Sequence, residues 1–130
     1  MEGHHIELRD DPRTVEITVD DVVVASSARA VVLDETGLPL RYYFPPEDVH
    51  LDLLEATKTE TVCPFKGQAS YWSVRTPGGE HRDVAWSYAT PLDSVSGIAG
   101  LICFYSERTD QTIDGAPQER PVTPWTPQPA

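Results

Sequence analysis

The feature that most constrains this chain is a period-two alternation that recurs in short runs and is cut each time by turn residues. It is strictest after Thr14, where Val15, Ile17 and Val19 are apolar and Thr14, Glu16 and Thr18 are polar. Successive side chains of a strand point to opposite faces, so this run reads as a half-buried strand. Asp20-Asp21 breaks it. Val22–Ala25, Ala28–Leu33 and Leu40–Phe44 follow as further strands, with Glu35-Thr36-Gly37 as a turn and Pro45-Pro46 as a stop. Residues 47–56 carry no clear period.

Thr59–Val62 is β-branched and extended, Ala69–Arg75 is a strand, and Thr76-Pro77-Gly78-Gly79 turns the chain into a partner strand, His81–Tyr88. Pro91–Gly97 suits one short helix opened by proline, and Ile98–Tyr105 reads as a buried strand. These runs predict an all-β fold, a compact single domain of about eight short strands with at most one or two helical turns. Residues 1–13 read as a flexible polar arm and 14–108 as the domain. Residues 109–130 read as a disordered tail, since five prolines fall between Pro117 and Pro129.

Charge narrows the partners. Lys and Arg number 10 against 21 Asp and Glu, a formal net charge of −11. Nucleic acid and anionic membrane surfaces repel such a chain, while a small anion held by a few local cations does not feel that field at close range. The first residues form no apolar run, and no stretch approaches the length of a membrane span. The expectation is a cytoplasmic protein whose Cys63 and Cys103 are free thiols. Lysine occurs only at 58 and 66, against eight arginines, and asparagine is absent, a bias typical of a GC-rich bacterial genome.

Phosphate-loop, dinucleotide and nucleophile-elbow motifs are missing, and no two cysteines are close enough for a usual structural zinc site. No metal and no cofactor is expected. The chemistry concentrates in Thr61-Val62-Cys63-Pro64-Phe65-Lys66-Gly67-Gln68-Ala69-Ser70-Tyr71-Trp72. Pro64 stiffens a bend, and Gly67 gives its backbone room or a positive φ. Lys66 sits on that bend near Cys63, where a cation makes a thiol more nucleophilic. Two readings stay open: a reactive thiol with its lysine, or a small buried cysteine beside a solvated turn lysine.

Aromatic residues surround this bend. On the return strand Val84, Trp86 and Tyr88 share one face by alternation, with Ala85 and Ser87 on the other; Tyr71 lies on the outgoing strand and Tyr43 on an earlier one. They are either core or the wall of a ligand cleft. Arg29, entering an apolar strand, is either an end-of-strand surface residue or a guanidinium aimed at an anion.

Ala28-Arg29, Tyr43-Phe44-Pro45, Thr61-x-Cys63-Pro64-Phe65-Lys66-Gly67-x-Ala69-x-Tyr71 and Ala85-Trp86-x-Tyr88 with Pro91 occur in the order found in the bacterial and fungal domain-of-unknown-function family 427. The chain resembles that family over about residues 14–106. The resemblance implies a β domain similar to the β-tent folds, with sheets meeting at an angle over a cleft. It carries no zinc over, because the paired cysteines are missing. The family's occasional nucleotidyltransferase-like label establishes no activity.

The leading expectation is a small-molecule site. Lys66, with Arg29, would hold an anionic group, while Tyr43, Gly67, Tyr71, Trp86 and Tyr88 enclose the rest. The alternative is thiol or group-transfer catalysis with Cys63 as nucleophile, Lys66 as activator and His81 or His50 as base. Nucleotidyl transfer would further need clustered carboxylates for Mg²⁺; Asp20-Asp21 and Glu47-Asp48 are acidic pairs inside the folded part, and both read as turn residues. A protein-interaction module is the third class. A homodimer, which would cover exposed aromatic surface, is compatible with the sequence.

Overall fold

In the computed structural model, which describes residues 3–127, Val15, Ile17 and Val19 are all buried while Glu16 and Thr18 are half-exposed. The alternation is therefore a strand, β2 (Val15–Val19). Asp20 and Asp21 both adopt positive φ, 53° and 63°, and Val19 pairs with Val22. That is the two-residue turn whose twist suits a hairpin, and it leads into β3 (Val22–Ser27).

The other strands are β1 (Ile6–Asp11), β4 (Ala30–Glu35), β5 (Arg41–Phe44), β6 (Leu54–Cys63), β7 (Gly67–Thr76), β8 (Gly79–Ser87), β9 (Ile102–Phe104), β10 (Asp110–Ile113) and β11 (Ala116–Pro117). They form two antiparallel sheets, one ordered β1-β4-β5-β9-β8-β7-β6 and the other β11-β10-β2-β3. Three 3-10 turns, Pro46–Asp48, Leu51–Leu53 and Asp93–Ile98, complete the fold. The segment expected to be a short helix is the last of these.

Two cores follow from the pleat. Val15, Ile17 and Val24 of the small sheet pack with Val32, Phe44, Val74, Ala85 and Phe104 of the large one. The opposite face of the large sheet carries Leu33, Tyr43, Tyr71, Trp86, Tyr88 and Cys103, covered in part by Val95 and Ile98. Alternation along β4 and β5 sends Val32 and Phe44 to one core and Leu33 and Tyr43 to the other.

Three expectations are corrected. From Ile6 onward the amino-terminal arm is not loose: β1 pairs with β4 from Ile6↔Glu35 to Asp11↔Ala30, while residues 1 and 2 lie outside the described segment. Ile6 and Leu8 are half-buried between exposed Glu7 and Arg9, a sparse alternation that suffices for an edge strand with one partner. The tail is ordered well past 109. Asp114 (φ 50°) and Gly115 (φ 81°) form a tight turn between β10 and β11, and β10 extends the small sheet beside β2. The Asp-Gly pair is itself a strong hairpin signal. The remaining three residues of the tail, 128–130, lie outside the described segment.

The third correction concerns β8. Val84 does not share a face with Trp86 and Tyr88 but joins Ala85 in the core between the sheets. The register of β7 and β8 shifts between Trp72 and Val74, and Asp83 adopts φ 53°. Its N–H donates to Ser73 Oγ at 3.2 Å, and its carboxylate accepts the hydroxyls of Thr57 and Thr59, each at 2.7 Å. This bulge resets the alternation. It leaves Trp86 and Tyr88 together on the outer face of the large sheet.

Candidate functional site

Cys63-Pro64-Phe65-Lys66 is a four-residue turn closed by the Lys66 N–H to the Cys63 carbonyl at 3.2 Å. Proline at its second position presets φ there. Gly67 follows at φ +116°, a value side chains rarely adopt, and a Cβ on it would lie 3.5 Å from Pro91 Cα. The Leu92 N–H donates to the Lys66 carbonyl at 3.0 Å, pinning the turn from behind. A fixed turn aims its lysine back over the sheet. Lys66 is largely buried, its side chain 12% exposed, and its ammonium donates to Glu35 Oε1 at the end of β4.

The cavity there has a volume of about 290 Å³. Tyr43, Cys63, Lys66, Tyr71, Trp86 and Tyr88 all line it. Gly67 is not among the lining residues; its part is to shape the turn that carries Lys66. Arg29 is elsewhere: it is exposed and bonded to Asp48 at 3.0 Å and Glu47 at 3.4 Å, next to the Ser27–Asp48 bond. It is a surface residue because β4 begins one residue later, at Ala30, and Asp48 lies beside it.

Sequence reasoning missed Glu35, Arg41, Tyr105 and Trp125, which also line the cavity. The reasoning applied to Arg29 fits Arg41 instead, which opens the fully buried run of β5. Its guanidinium donates to both Glu107 oxygens, at 2.6 and 2.8 Å, with side chains 8% and 0% exposed. It also lies 5.4 Å from the Trp86 ring centroid, 5.7 Å from Tyr105 and 6.0 Å from Trp125. Trp125 arrives on the carboxy-terminal strap, held by Thr123 Oγ1 to Glu107 Oε2 at 2.6 Å and by Arg108 Nε to the Trp125 carbonyl at 2.8 Å.

Phenol hydroxyls dominate the polar lining. Trp86 Nε1 donates to Tyr43 Oη at 3.1 Å, and Tyr71 Oη lies 2.9 Å from Thr61 Oγ1. Burial raises the Tyr43, Tyr88 and Tyr105 phenols above their ordinary value, so all three are neutral at physiological pH. Burial likewise pushes the Cys103 thiol up to about 12, which makes it inert. His4 reaches the rim: its ring stacks on Phe65 with centroids 3.9 Å apart, and its Nε2 lies 2.9 Å from Glu35 Oε2.

Burial drives the carboxyls of Glu35 and Glu107 upward, but hydrogen bonds from Lys66 and His4, and from Arg41 and Thr123, outweigh it. Both end below the ordinary glutamate value of 4.5. Carboxyls lowered in the folded state stabilise it above the unfolded pKa, and that stability is lost as pH falls through the folded value. The urea midpoint is expected to hold from neutral pH down to about 4.5 and to drop below it. Glu35→Gln should flatten part of that drop; an unchanged profile would show that Glu35 does not contribute to it.

The residues proposed as bases lie apart from the cavity. His81 Nε2 bonds Asp20 at 2.7 Å, and the His50 N–H donates to the Val24 carbonyl. Asp20 and Asp21 form the β2–β3 turn, and Glu47 and Asp48 face Arg29. Among the described residues no three His, Cys, Asp or Glu side chains gather as metal ligands. No helix among them is long and apolar enough to cross a membrane.

A family model described as a domain of unknown function, number 427, matches residues 7–115. The chain belongs to this family. A search of the curated proteins found no match. The matched region of the family 427 domain begins inside β1 and ends in the turn before β11. It thus contains the Cys63–Gly67 turn, Glu35, Arg41 and Glu107, and it excludes the strap with Thr123 and Trp125.

Proposed function

We propose that this protein binds a small organic molecule in the cavity above Trp86. The observation that carries the reading is Lys66: a largely buried ammonium set in a space of about 290 Å³ whose walls include Tyr43, Tyr71, Trp86, Tyr88 and Tyr105. Such a space, apolar on most sides with a few convergent polar groups, is how small-ligand sites are built. Its volume suits a ligand of one or two rings rather than a peptide or a dinucleotide.

Sequence reasoning favours an anionic ligand, and both Lys66 and Arg41 stand at the cavity. Each is already matched by a carboxylate, Glu35 and Glu107. An anion at Lys66 must therefore displace or protonate Glu35, and its binding should strengthen at acid pH. A thermal-shift panel of nucleotides, acyl phosphates, small carboxylates and uncharged heterocycles tests the reading. A ligand at a hundred times its Kd is expected to add about 2.7 kcal/mol of stability. The gain should vanish in Lys66→Met. A flat panel would count against the reading.

A second reading, catalysis by Cys63 through thiol or group-transfer chemistry, is favoured by one observation: its half-buried thiol lines the same cavity as Lys66. Iodoacetamide alkylation no faster than a model thiol at neutral pH would end it.

A further inference from the structure

The polar equipment of this cavity is specific about charge. Two cations line it, Lys66 and Arg41, and each is held by a buried carboxylate, with Glu35 6% and Glu107 0% exposed. A ligand with a net charge would bring an uncompensated ion among aromatic rings, and desolvating it is costly. A ligand cation would also compete with Arg41, whose guanidinium already lies against Trp86, Tyr105 and Trp125.

What the cavity still offers a ligand is neutral hydrogen bonding. Of the four tyrosines on the cavity, Tyr43 and Tyr71 have hydrogen-bond partners in Trp86 and Thr61. Tyr105 has Tyr71 beside its phenol. Tyr88 is 5% exposed, and its hydroxyl makes no hydrogen bond among the described residues. The groups acting on its phenol include Cys63, Tyr71 and Glu35, which themselves line the cavity. No side-chain polar atom sealed among the described residues lacks a partner, so this unbonded hydroxyl keeps open surface, and on a cavity-lining residue that surface is available to a ligand atom. Burial keeps that phenol protonated, so it can donate.

Lys66 and Glu35 supply the rest. The ammonium carries three protons, and among the described residues its only hydrogen bond is the one to Glu35. The carboxylate, bonded to Lys66 and His4, has lone pairs left over. A donor and an acceptor thus stand side by side in contact. A cyclic amide presents the complement: a carbonyl and an N–H on neighbouring atoms, fixed in one plane and directed to the same side. Its flat ring matches walls built of Tyr and Trp faces.

Resting on the small-molecule reading above, we propose that the ligand is an uncharged ring lactam. Its carbonyl is received by Lys66 and Tyr88, and its N–H is donated to Glu35. No bond is made or broken in this binding step.

Calorimetric titration of the full chain at neutral pH with 2-pyridone, benzoate and benzamidine, three rings of like size and different charge, tests the class. The expected result is saturable binding of 2-pyridone, with benzoate and benzamidine weaker by about tenfold or more. Tyr88→Phe is expected to weaken 2-pyridone by about five- to tenfold while leaving the melting temperature within error. Glu35→Gln frees Lys66 and is expected to reverse the order, favouring benzoate.

Benzoate binding the wild-type protein as well as 2-pyridone does would overturn the lactam class. So would a Tyr88→Phe protein with unchanged affinity for 2-pyridone. If 2-pyridone fails while another compound of the thermal-shift panel binds, the lactam is wrong and the cavity reading stands. If nothing in either set binds, both fall.

Discussion

Glu107→Ala is expected to cost about 3–5 kcal/mol of folding stability, because it strands a buried guanidinium. Arg41 gives both its Nη groups to Glu107, at 2.6 and 2.8 Å, and Glu107 also accepts the Thr123 hydroxyl at 2.6 Å. Neither partner of the ion pair has appreciable contact with water. The carboxylate thus neutralises the cation and ties the strap to the large sheet. Replacing both partners by leucine should cost less than removing Glu107 alone, since an unpaired buried charge is worse than none. Urea unfolding of the two variants measures both quantities. A single variant losing less than about 1 kcal/mol would show that water or another group reaches Arg41.

Trp86→Ala carries the second large effect, a loss of about 3–5 kcal/mol. The indole is 7% exposed and serves several neighbours at once. It meets Tyr43 edge-on at 6.4 Å and 86°, lies 4.5 Å from the Tyr105 ring and supports the Arg41 guanidinium. Its Nε1–H is the hydrogen bond of the buried Tyr43 hydroxyl. Trp86→Phe keeps an aromatic ring and loses the N–H, so it should cost only about 1–3 kcal/mol. Equal losses in the two variants would mean that the hydrogen bond, and not the ring, holds the region together.

Where the sequence was legible, period two did the work. The run Val15–Val19 and the hairpin of β7 and β8 follow from alternation and from the Thr76–Gly79 turn, and the structure has both. Where a local device breaks the alternation, period two no longer tells which face a side chain takes. The bulge at Asp83 depends on Thr57 and Thr59, far away in sequence, so nothing near Val84 announced its change of face. β1 has only two apolar positions facing inward, and β10 gains its place by pairing with β2, nearly a hundred residues earlier.

The site divides the same way. Its centre was legible because Pro64, Lys66 and Gly67 make a turn from neighbouring residues, and the aromatic strands follow directly. Glu35, Arg41 and Glu107 come from separate elements, and their pairing spans 31 residues for Glu35 with Lys66 and 66 for Arg41 with Glu107. A single sequence offers no sign of such pairing beyond one hint: a charged residue opening an otherwise buried strand needs a partner. Arg29 carries the same sign, but its strand begins late enough to leave it in water.

The space above Trp86 is proposed to receive a small molecule. The chain supplies its own control, since Trp86 and Trp125 line that space while Trp72 packs toward the core between the sheets. Indole N–H signals followed by NMR during titration with the compounds of the panel read all three together. The Trp86 and Trp125 signals are expected to move saturably with a shared Kd while Trp72 stays in place. Movement of Trp72 alone, or no saturable movement of any indole with any compound, would contradict it.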